Sequence, residues 1–207
     1  MSPDRVVGVV SPGKRNASRL GPPDSPAEPP DVAVHDGVLF ADAVISPCGI
    51  YRYRLRRWDG PLKELGRDDW LVVVGLNPST ADALVDDPTV RRCRDLARRL
   101  GKRGLWLVNV YGLRSVDPRA VASHADPVGP GNDDYVREAL SLGTRKVAAW
   151  GKRVDPVRAG NVAALSDSWE CLGTNLDGSP KHPLYVPRDR ELRPWTGGEP
   201  RGGHGKP

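Results

Sequence analysis

The sequence has few cysteines, and their spacing fits neither a disulfide framework nor a metal site. Its three cysteines, Cys48, Cys93 and Cys171, are odd in number and far apart along the chain. Scattered cysteines are typical of a reducing compartment, where structural disulfides are rare. We therefore expect a cytoplasmic protein with no metal site and no disulfide framework.

Long apolar runs are missing as well. No stretch approaches the roughly 20 apolar residues that a transmembrane helix needs. The N-terminus also lacks the apolar segment of a signal peptide. These absences predict a soluble, intracellular protein with no membrane partner.

Several signature motifs of nucleotide and hydrolase chemistry are absent too. The sequence contains no GxxxxGK[ST] loop, no G-x-G-x-x-G after a predicted strand, no G-x-S-x-G turn and no H-E-x-x-H pair. The sites for ATP, for dinucleotides, for a serine nucleophile and for zinc therefore lack their usual residues. No cofactor is predicted.

What the chain does have is an excess of positive charge. Lysine and arginine number 31 against 26 aspartates and glutamates, which gives a net charge of +5. Such an excess favours a polyanionic partner. No obligatory protein partner is inferred.

The composition divides the chain into three parts. Residues 1–31 are rich in proline and poor in aliphatic side chains, which predicts a disordered leader. A short apolar stretch at 6–10 within it could pair only as an edge strand. Residues 38–195 are predicted to form one α/β domain, and the glycine-rich residues 196–207 a flexible tail.

Buried strands alternate with capped helices through the predicted domain. The apolar segments 71–74, 105–110, 146–150 and 169–172 are typical of strands buried on both faces. Asp87-Pro88 and Asp155-Pro156 each place an N-cap before a proline at the first helical position, and another helix is predicted from Asn132. This alternation predicts a three-layer α/β/α sandwich around a mainly parallel central sheet.

Two segments combine arginine with apolar spacing. Residues 51–58 alternate aromatic or aliphatic side chains with arginine, which predicts a half-buried strand that displays Arg52 and Arg54. The helix after Asp87 has an apolar stripe and an opposite face that includes Arg91 and Arg92. A solvated basic helix face is the alternative to contact with phosphates, and it is the favoured interpretation of Arg98 and Arg99 on the same helix.

Polar residues follow the first predicted core strand, at the edge of the sheet where ligands bind in parallel α/β folds. Gly75 breaks the strand and Pro78 cannot continue the ladder. Asn77 is the first polar side chain of this loop. A second loop holds His182 between two prolines, and right-handed crossovers would bring both loops to the same rim. From the residues alone, a strand-ending turn and a solvated histidine fit the pattern too.

The order of these motifs resembles that of the uracil-DNA glycosylase superfamily. The corresponding segments are Gly75-Leu-Asn-Pro-Ser79, Asn109-Val-Tyr-Gly-Leu-Arg114 with Pro118, Trp150-Gly151, and His182-Pro183. Over residues 45–195 the chain more specifically resembles the domain-of-unknown-function family 1643. The glycosylase resemblance implies a glycosylase-like sandwich and a monofunctional DNA glycosylase that needs no cofactor and no metal.

The glycosylase resemblance also implies roles for individual residues. It implies that Asn77 orients the attacking water and that His182 donates a hydrogen bond to the departing base. The residues implied in substrate binding are Gly75, Leu76, Pro78, Ser79, Thr80, Asp82, Asn109, Tyr111, Trp150 and Pro183. The candidates for contact with DNA phosphates are Arg52, Arg54, Arg91, Arg92, Arg114 and Lys152.

Departures from the glycosylase pattern shape the expected substrate. Ser79 stands where some uracil-specific members have a tyrosine that shuts out 5-substituted pyrimidines. We therefore expect a flipped-out 5-hydroxymethylated or glucosylated cytosine of phage DNA as substrate, and otherwise uracil. Pro88-Thr89 replaces an aromatic pair, and Leu184 replaces a common serine. Two alternatives stay open: a nucleic-acid-binding module without catalysis, and an enzyme that acts on free nucleotides or nucleosides.

Overall fold

The structure is a computed structural model that describes residues 5–8, 39–79, 81 and 85–197. Most of the predicted leader (1–31) and most of the predicted tail (196–207) lie outside the described residues. Thr80 and Asp82, two of the residues implied in substrate binding, also lie outside them.

Within the described residues, eight strands and four α-helices form. The strands are β1 (Arg5–Gly8), β2 (Leu39–Ile45), β3 (Arg52–Asp59), β4 (Trp70–Gly75), β5 (Gly104–Asn109), β6 (Arg145–Ala148), β7 (Trp169–Cys171) and β8 (Arg193–Trp195). The helices are α1 (Pro88–Arg99), α2 (Pro118–Ser123), α3 (Asn132–Leu142) and α4 (Pro156–Ala163), and short 3-10 turns span Leu62–Glu64, Arg67–Asp69 and Pro183–Tyr185.

The strands form one mixed sheet in the order β1-β2-β3-β5-β4-β6-β7-β8. The four central strands β5, β4, β6 and β7 are parallel, and they are the four buried strands that the apolar segments predicted. The remaining pairs, β1-β2, β2-β3, β3-β5 and β7-β8, are antiparallel. The α/β class is thus confirmed, but the prediction of a mainly parallel sheet is wrong for the described residues.

The antiparallel pairs have a simple cause. Alternation of strand and helix implies parallel pairing only where a helix crosses between two strands. The short turn at residues 46–51 instead joins β2 and β3 as a hairpin, and the segment that ends in Trp195 adds β8 beside β7. Neither feature has a strong local signal in the sequence.

The predicted helix starts are confirmed. The Asp87 carboxylate accepts a hydrogen bond from Val90 N at 2.8 Å, and Pro88 is the first residue of α1. Asp155 caps α4 in the same way, by accepting from Arg158 N at 2.9 Å. Because an N-cap satisfies backbone donors that the helix itself leaves unpaired, these two turns hold the loops that precede them.

Helices cover both faces of the sheet. Alternate residues of β4 belong to two apolar clusters, because successive side chains of a strand point to opposite faces. Leu71 and Val73 pack with α1, whereas Val72 and Val74 pack on the face that α3 covers. The parallel strands therefore lie between two layers of helix.

The strand β3 departs from strict alternation. Val44 pairs with Arg54, but the next residue Ile45 pairs with Arg52, so Tyr53 is an extra residue on β3. A bulge of this kind shifts the side chains that follow to the opposite face. This is why the predicted separation of aromatic and arginine faces fails.

The arginines of β3 are consequently not displayed to solvent. Arg52 is 1% exposed and donates to Ala81 O at 2.7 Å. Arg54 and Arg56 both pair with Asp42 on the neighbouring strand. Because these side chains bond to neighbouring residues of the fold, their role is structural.

None of the helices in the described ranges is long and apolar enough to cross a membrane.

Candidate functional site

The loops that leave the parallel strands run side by side beyond the sheet. Val110 N donates to Gly75 O at 2.9 Å and Tyr111 N donates to Leu76 O at 3.0 Å. One strand over, Ala149 N donates to Val74 O at 2.9 Å. The loops after β4, β5 and β6 therefore share one rim, as the motif order predicts.

The side chain of Asn77 is held by its nitrogen. Asn77 Nδ2 donates to Ser115 O at 2.8 Å, to Pro78 O at 3.0 Å and to Leu113 O at 3.5 Å. Within the described residues, every hydrogen bond of this side chain is made by the nitrogen. The half-buried amide thus keeps its oxygen Oδ1 as an acceptor for another molecule.

The next polar residue of the same loop is tied to helix α1. Ser79 Oγ donates to Asp87 Oδ2, and the other carboxylate oxygen of Asp87 accepts from Val90 N. One carboxylate therefore caps the helix and anchors the loop that holds Asn77. From the sequence Asp87 is predicted only to cap the helix, because the Asp-Pro pair is itself a typical helix start.

The imidazole of His182 has a defined tautomer. His182 Nδ1 accepts a hydrogen bond from Leu184 N at 3.3 Å, so in the neutral ring the proton resides on Nε2. The ring is half-buried and lies 5.5 Å from the ring of Tyr185. Burial lowers the pKa of His182, and the negative charge of Asp87 acts in the opposite direction. The result is a neutral imidazole that offers an N–H donor.

His182 lies on the rim that holds the Asn77 loop. A methyl group placed on Gly151, just beyond β6, would lie 3.5 Å from His182 Cβ. Asp87 is bonded to Ser79 and is close enough to influence the charge of His182. We refer to Asn77, Ser79, Asp87 and His182 as the rim cluster.

Asn109 adds a buried amide next to Gly75. The two residues pair in register at the ends of β5 and β4, and a methyl group on Gly75 would lie 2.8 Å from Asn109 Oδ1. Asn109 is 3% exposed, and its Nδ2 has no hydrogen-bond partner in the described part of the chain. An unpaired buried amide is costly, which makes it a candidate for pairing with a ligand.

A cavity of about 570 Å³ opens on the α3 side of the rim. Its apolar wall includes Leu76 and Tyr111, and its mouth carries Lys152 and Arg153. Tyr111 is 8% exposed, and its hydroxyl accepts from Asp155 N at 3.0 Å. Of the implied substrate-binding residues, Leu76 and Tyr111 thus lie together in a concave surface.

Other residues implied in substrate binding are buried. Trp150 is 1% exposed, and its ring lies 5.7 Å from that of Trp169 and 5.2 Å from that of Trp195. The expectation that Trp150 contacts a substrate is therefore corrected, because its ring belongs to the core. Pro78 and Pro183 are buried as well and shape the two loops.

The candidate DNA-binding residues separate into two groups. Arg92 is 8% exposed and donates to Pro183 O at 3.3 Å and to Arg188 O at 3.0 Å, so it clamps the His182 loop to α1. Arg92 and the β3 residues Arg52 and Arg54 are therefore corrected to structural residues.

The residues of the second group are wholly or partly open to solvent. Arg91 and Lys152 are exposed, and Arg114 is half-buried. Arg114 Nη1 donates to Gly49 O at 3.1 Å, which ties it to the β2-β3 turn. Surface positions of this kind can contact phosphates, whereas sequence spacing alone did not separate them from the buried arginines.

The comparison with protein families confirms the predicted membership of the domain-of-unknown-function family 1643. The model of a family described as "Protein of unknown function (DUF1643)" matches residues 52–184. The chain belongs to the DUF1643 family. The matched segment runs from the first residue of β3 into the turn after His182, so it contains the whole rim cluster. No curated protein and no solved structure matches the chain.

Within the described residues, no three histidine, cysteine, aspartate or glutamate side chains come together as a metal site. The three cysteines are free, Cys48 at the surface and Cys93 and Cys171 in the interior.

Proposed function

We propose that this DUF1643 protein is a monofunctional DNA glycosylase that acts in the cytoplasm on a flipped-out pyrimidine. We further propose that its sheet and helices are a variant of the uracil-DNA glycosylase sandwich with antiparallel strands added at both edges. The single observation that supports the proposal is that one rim holds both an amide oxygen with no partner among the described residues and an imidazole whose Nε2 is left as the donor.

The reaction needs two services from the protein. As the bond between the sugar C1′ and the base nitrogen breaks, its electron pair leaves with the base and the sugar becomes cationic. Water then bonds to C1′ and loses a proton to solvent. A donor must stabilise the negative charge on the base, and an acceptor must hold the water beneath C1′.

The rim cluster can supply both services. In our proposal His182 Nε2–H donates to the base oxygen on which negative charge develops, while Asn77 Oδ1 accepts from the attacking water. Asparagine is not a base, so its contribution is positioning. The carboxylate of Asp87 favours the cationic sugar over the neutral ground state.

Asn109 is the proposed reader of the base. Its buried Nδ2–H has no partner among the described residues, and its Oδ1 fills the space that a side chain on Gly75 would occupy. An amide offers one donor and one acceptor in a plane, as the edge of a pyrimidine requires. A site that leaves such a group unpaired rejects ligands that cannot pair with it.

A second candidate function is favoured by the cavity beside Tyr111. Its volume of about 570 Å³, its apolar wall and the cations at its mouth would suit a free nucleotide. This cavity is lined by neither Asn77 nor His182. The second candidate therefore places the chemistry at a different part of the rim.

One substrate panel separates these possibilities. The purified protein is incubated with oligonucleotides that contain uracil, 5-hydroxymethylcytosine or glucosylated 5-hydroxymethylcytosine, and with the matching mononucleotides. We expect free base and alkali-labile sites from an oligonucleotide with a modified cytosine. Preference for uracil would contradict only the expectation that a 5-modified cytosine is the substrate. Turnover of mononucleotides only would favour the second candidate, and binding without base release would indicate a binding module.

A further inference from the structure

A second cavity, of about 490 Å³, lies between helix α1 and the loop that follows His182. Its charged lining comprises Arg91, Arg92, Arg94, Asp95 and Arg98 from α1 and Arg188 from the loop. Five guanidinium groups thus face one carboxylate. We call this surface the α1 groove.

The guanidinium groups of the α1 groove differ in their bonding partners. Arg92 donates to backbone carbonyls and Arg94 pairs with the Asp86 carboxylate. The exposed side chains of Arg98 and Arg188 make no ion pair or hydrogen bond with any residue that the structure describes. Two cations of the groove are therefore available to an external anion.

The crowding of positive charge can be read from Arg92. Burial lowers the pKa of Arg92, and the neighbouring charges of Arg99 and Arg188 lower it further. Like charges held together by a fold are unfavourable unless an anion joins them. A phosphate in the α1 groove would relieve this repulsion.

The placement of the groove connects it to the rim cluster. Arg91 and Arg98 are seven residues apart on α1, which corresponds to roughly 10 Å along the helix axis. The other wall contains Pro183 and Leu184, which directly follow His182. A chain of phosphates bound along α1 would therefore bring an adjoining nucleotide to His182.

We propose that the α1 groove binds the sugar-phosphate backbone of the DNA strand that carries the target base, with Arg98 and Arg188 as its phosphate contacts. This proposal rests on the proposed glycosylase function, because that function supplies the DNA. It adds the path that the strand takes across the protein. DNA is favoured over a single small anion because the cations are spread along two turns of helix.

The test measures how binding of unmodified duplex DNA depends on salt. Each phosphate contact that is removed lowers the slope of log affinity against log salt concentration by about 0.9. The double variant Arg98→Gln, Arg188→Gln should therefore lose about 1.8 from the wild-type slope and weaken binding alike for all DNA sequences. Fluorescence anisotropy of a labelled mixed-sequence duplex gives both quantities.

A matched control removes the same charge elsewhere. Arg67 lies near the amino end of β4 and Arg137 on α3, across the sheet from α1, and both are exposed. The double variant Arg67→Gln, Arg137→Gln should keep the wild-type slope. Three results would each overturn the proposed role of the groove. They are an equal loss of slope in both double variants, an unchanged slope in the groove variant, and no binding of DNA by the wild type.

The outcome is independent of base release because the probe contains no target base. A reduced slope in the groove variant, together with no base release in the substrate panel, would support the groove and overturn the glycosylase. Base release by the wild type, together with an unchanged slope in the groove variant, would support the glycosylase and overturn the groove.

Discussion

Replacing His182 with alanine is expected to slow base release by about 10²–10³-fold, the usual cost of removing a donor from a site of developing negative charge. The imidazole is the proposed donor because Leu184 N occupies its Nδ1 and leaves the proton on Nε2. Single-turnover assays of abasic-site formation measure the loss. Wild-type turnover in the variant would remove His182 from the mechanism.

The substitution needs a control, since His182 also caps the turn at Pro183–Tyr185. His182→Ser keeps a side-chain oxygen for Leu184 N but has no imidazole donor. We expect the serine variant to lose as much activity as the alanine variant while unfolding at a higher urea concentration. Recovery of activity in the serine variant would mean that the histidine acts only as a cap.

The pH dependence of base release follows from the same histidine. Burial lowers the pKa of His182 below its ordinary value of 6.5, so the ring stays neutral through the neutral range. The pKa of His182 is thus lower in the folded than in the unfolded protein. The stability that depends on the neutral ring is present above the unfolded-state pKa and is lost as the pH falls through the folded-state pKa. Protonation would also place a hydrogen on Nδ1 and break the bond from Leu184 N.

We therefore expect the rate of base release to be flat at neutral pH and to fall in acid, with the midpoint below 6.5. Single-turnover rates measured across this range on one oligonucleotide give the profile. A rate that rises as the pH falls would indicate that the imidazolium is the active donor.

The second large effect is expected at Asn77. Its alanine variant should lose about 10²-fold in base release, because misplacing the attacking water by about 1 Å costs that much. The aspartate variant should not recover the loss. Asn77 Nδ2 donates to the carbonyl oxygens of Ser115 and Pro78, and a carboxylate oxygen at that position would be repelled by them.

Stability measurements separate the two consequences of changing Asn77. Both variants lose hydrogen bonds that are worth about 0.5–1.5 kcal/mol each, so both should unfold at a lower urea concentration. The aspartate variant also places a negative charge beside the carbonyl oxygens of Ser115 and Pro78. The alanine variant does not, so it should be the more stable of the two. Full activity in the aspartate variant would contradict the orientation assigned to the amide.

Local signals in the sequence predicted much of the rim. Asp-Pro pairs cap helices through contacts within three residues, so the starts of α1 and α4 are readable without any tertiary information. Aliphatic runs such as 71–74 identify buried strands for the same reason. Because parallel strands bring their carboxyl ends together, the order of the motifs then predicts that Asn77 and His182 share one rim.

The errors concern residues whose surroundings are distant in sequence. Trp150 ends a predicted strand, but Trp195, some 45 positions further along, seals it in the core. Arg92 follows the spacing of a solvated helix face, yet the loop after His182 covers it. The bulge at Tyr53 depends on pairing with β2 and leaves no trace in the alternation of β3 itself.

The most direct test of the account is base release in water labelled with oxygen-18. If Asn77 places a water molecule beneath C1′, the abasic sugar produced from a modified-cytosine oligonucleotide will contain the labelled oxygen on C1′ and the free base will not. Prompt reduction of the product fixes the label for mass spectrometry, and the His182→Ala, Asn77→Ala double variant serves as the control. An intact oligonucleotide after prolonged incubation with the whole panel, or equal release by the double variant, would contradict the account.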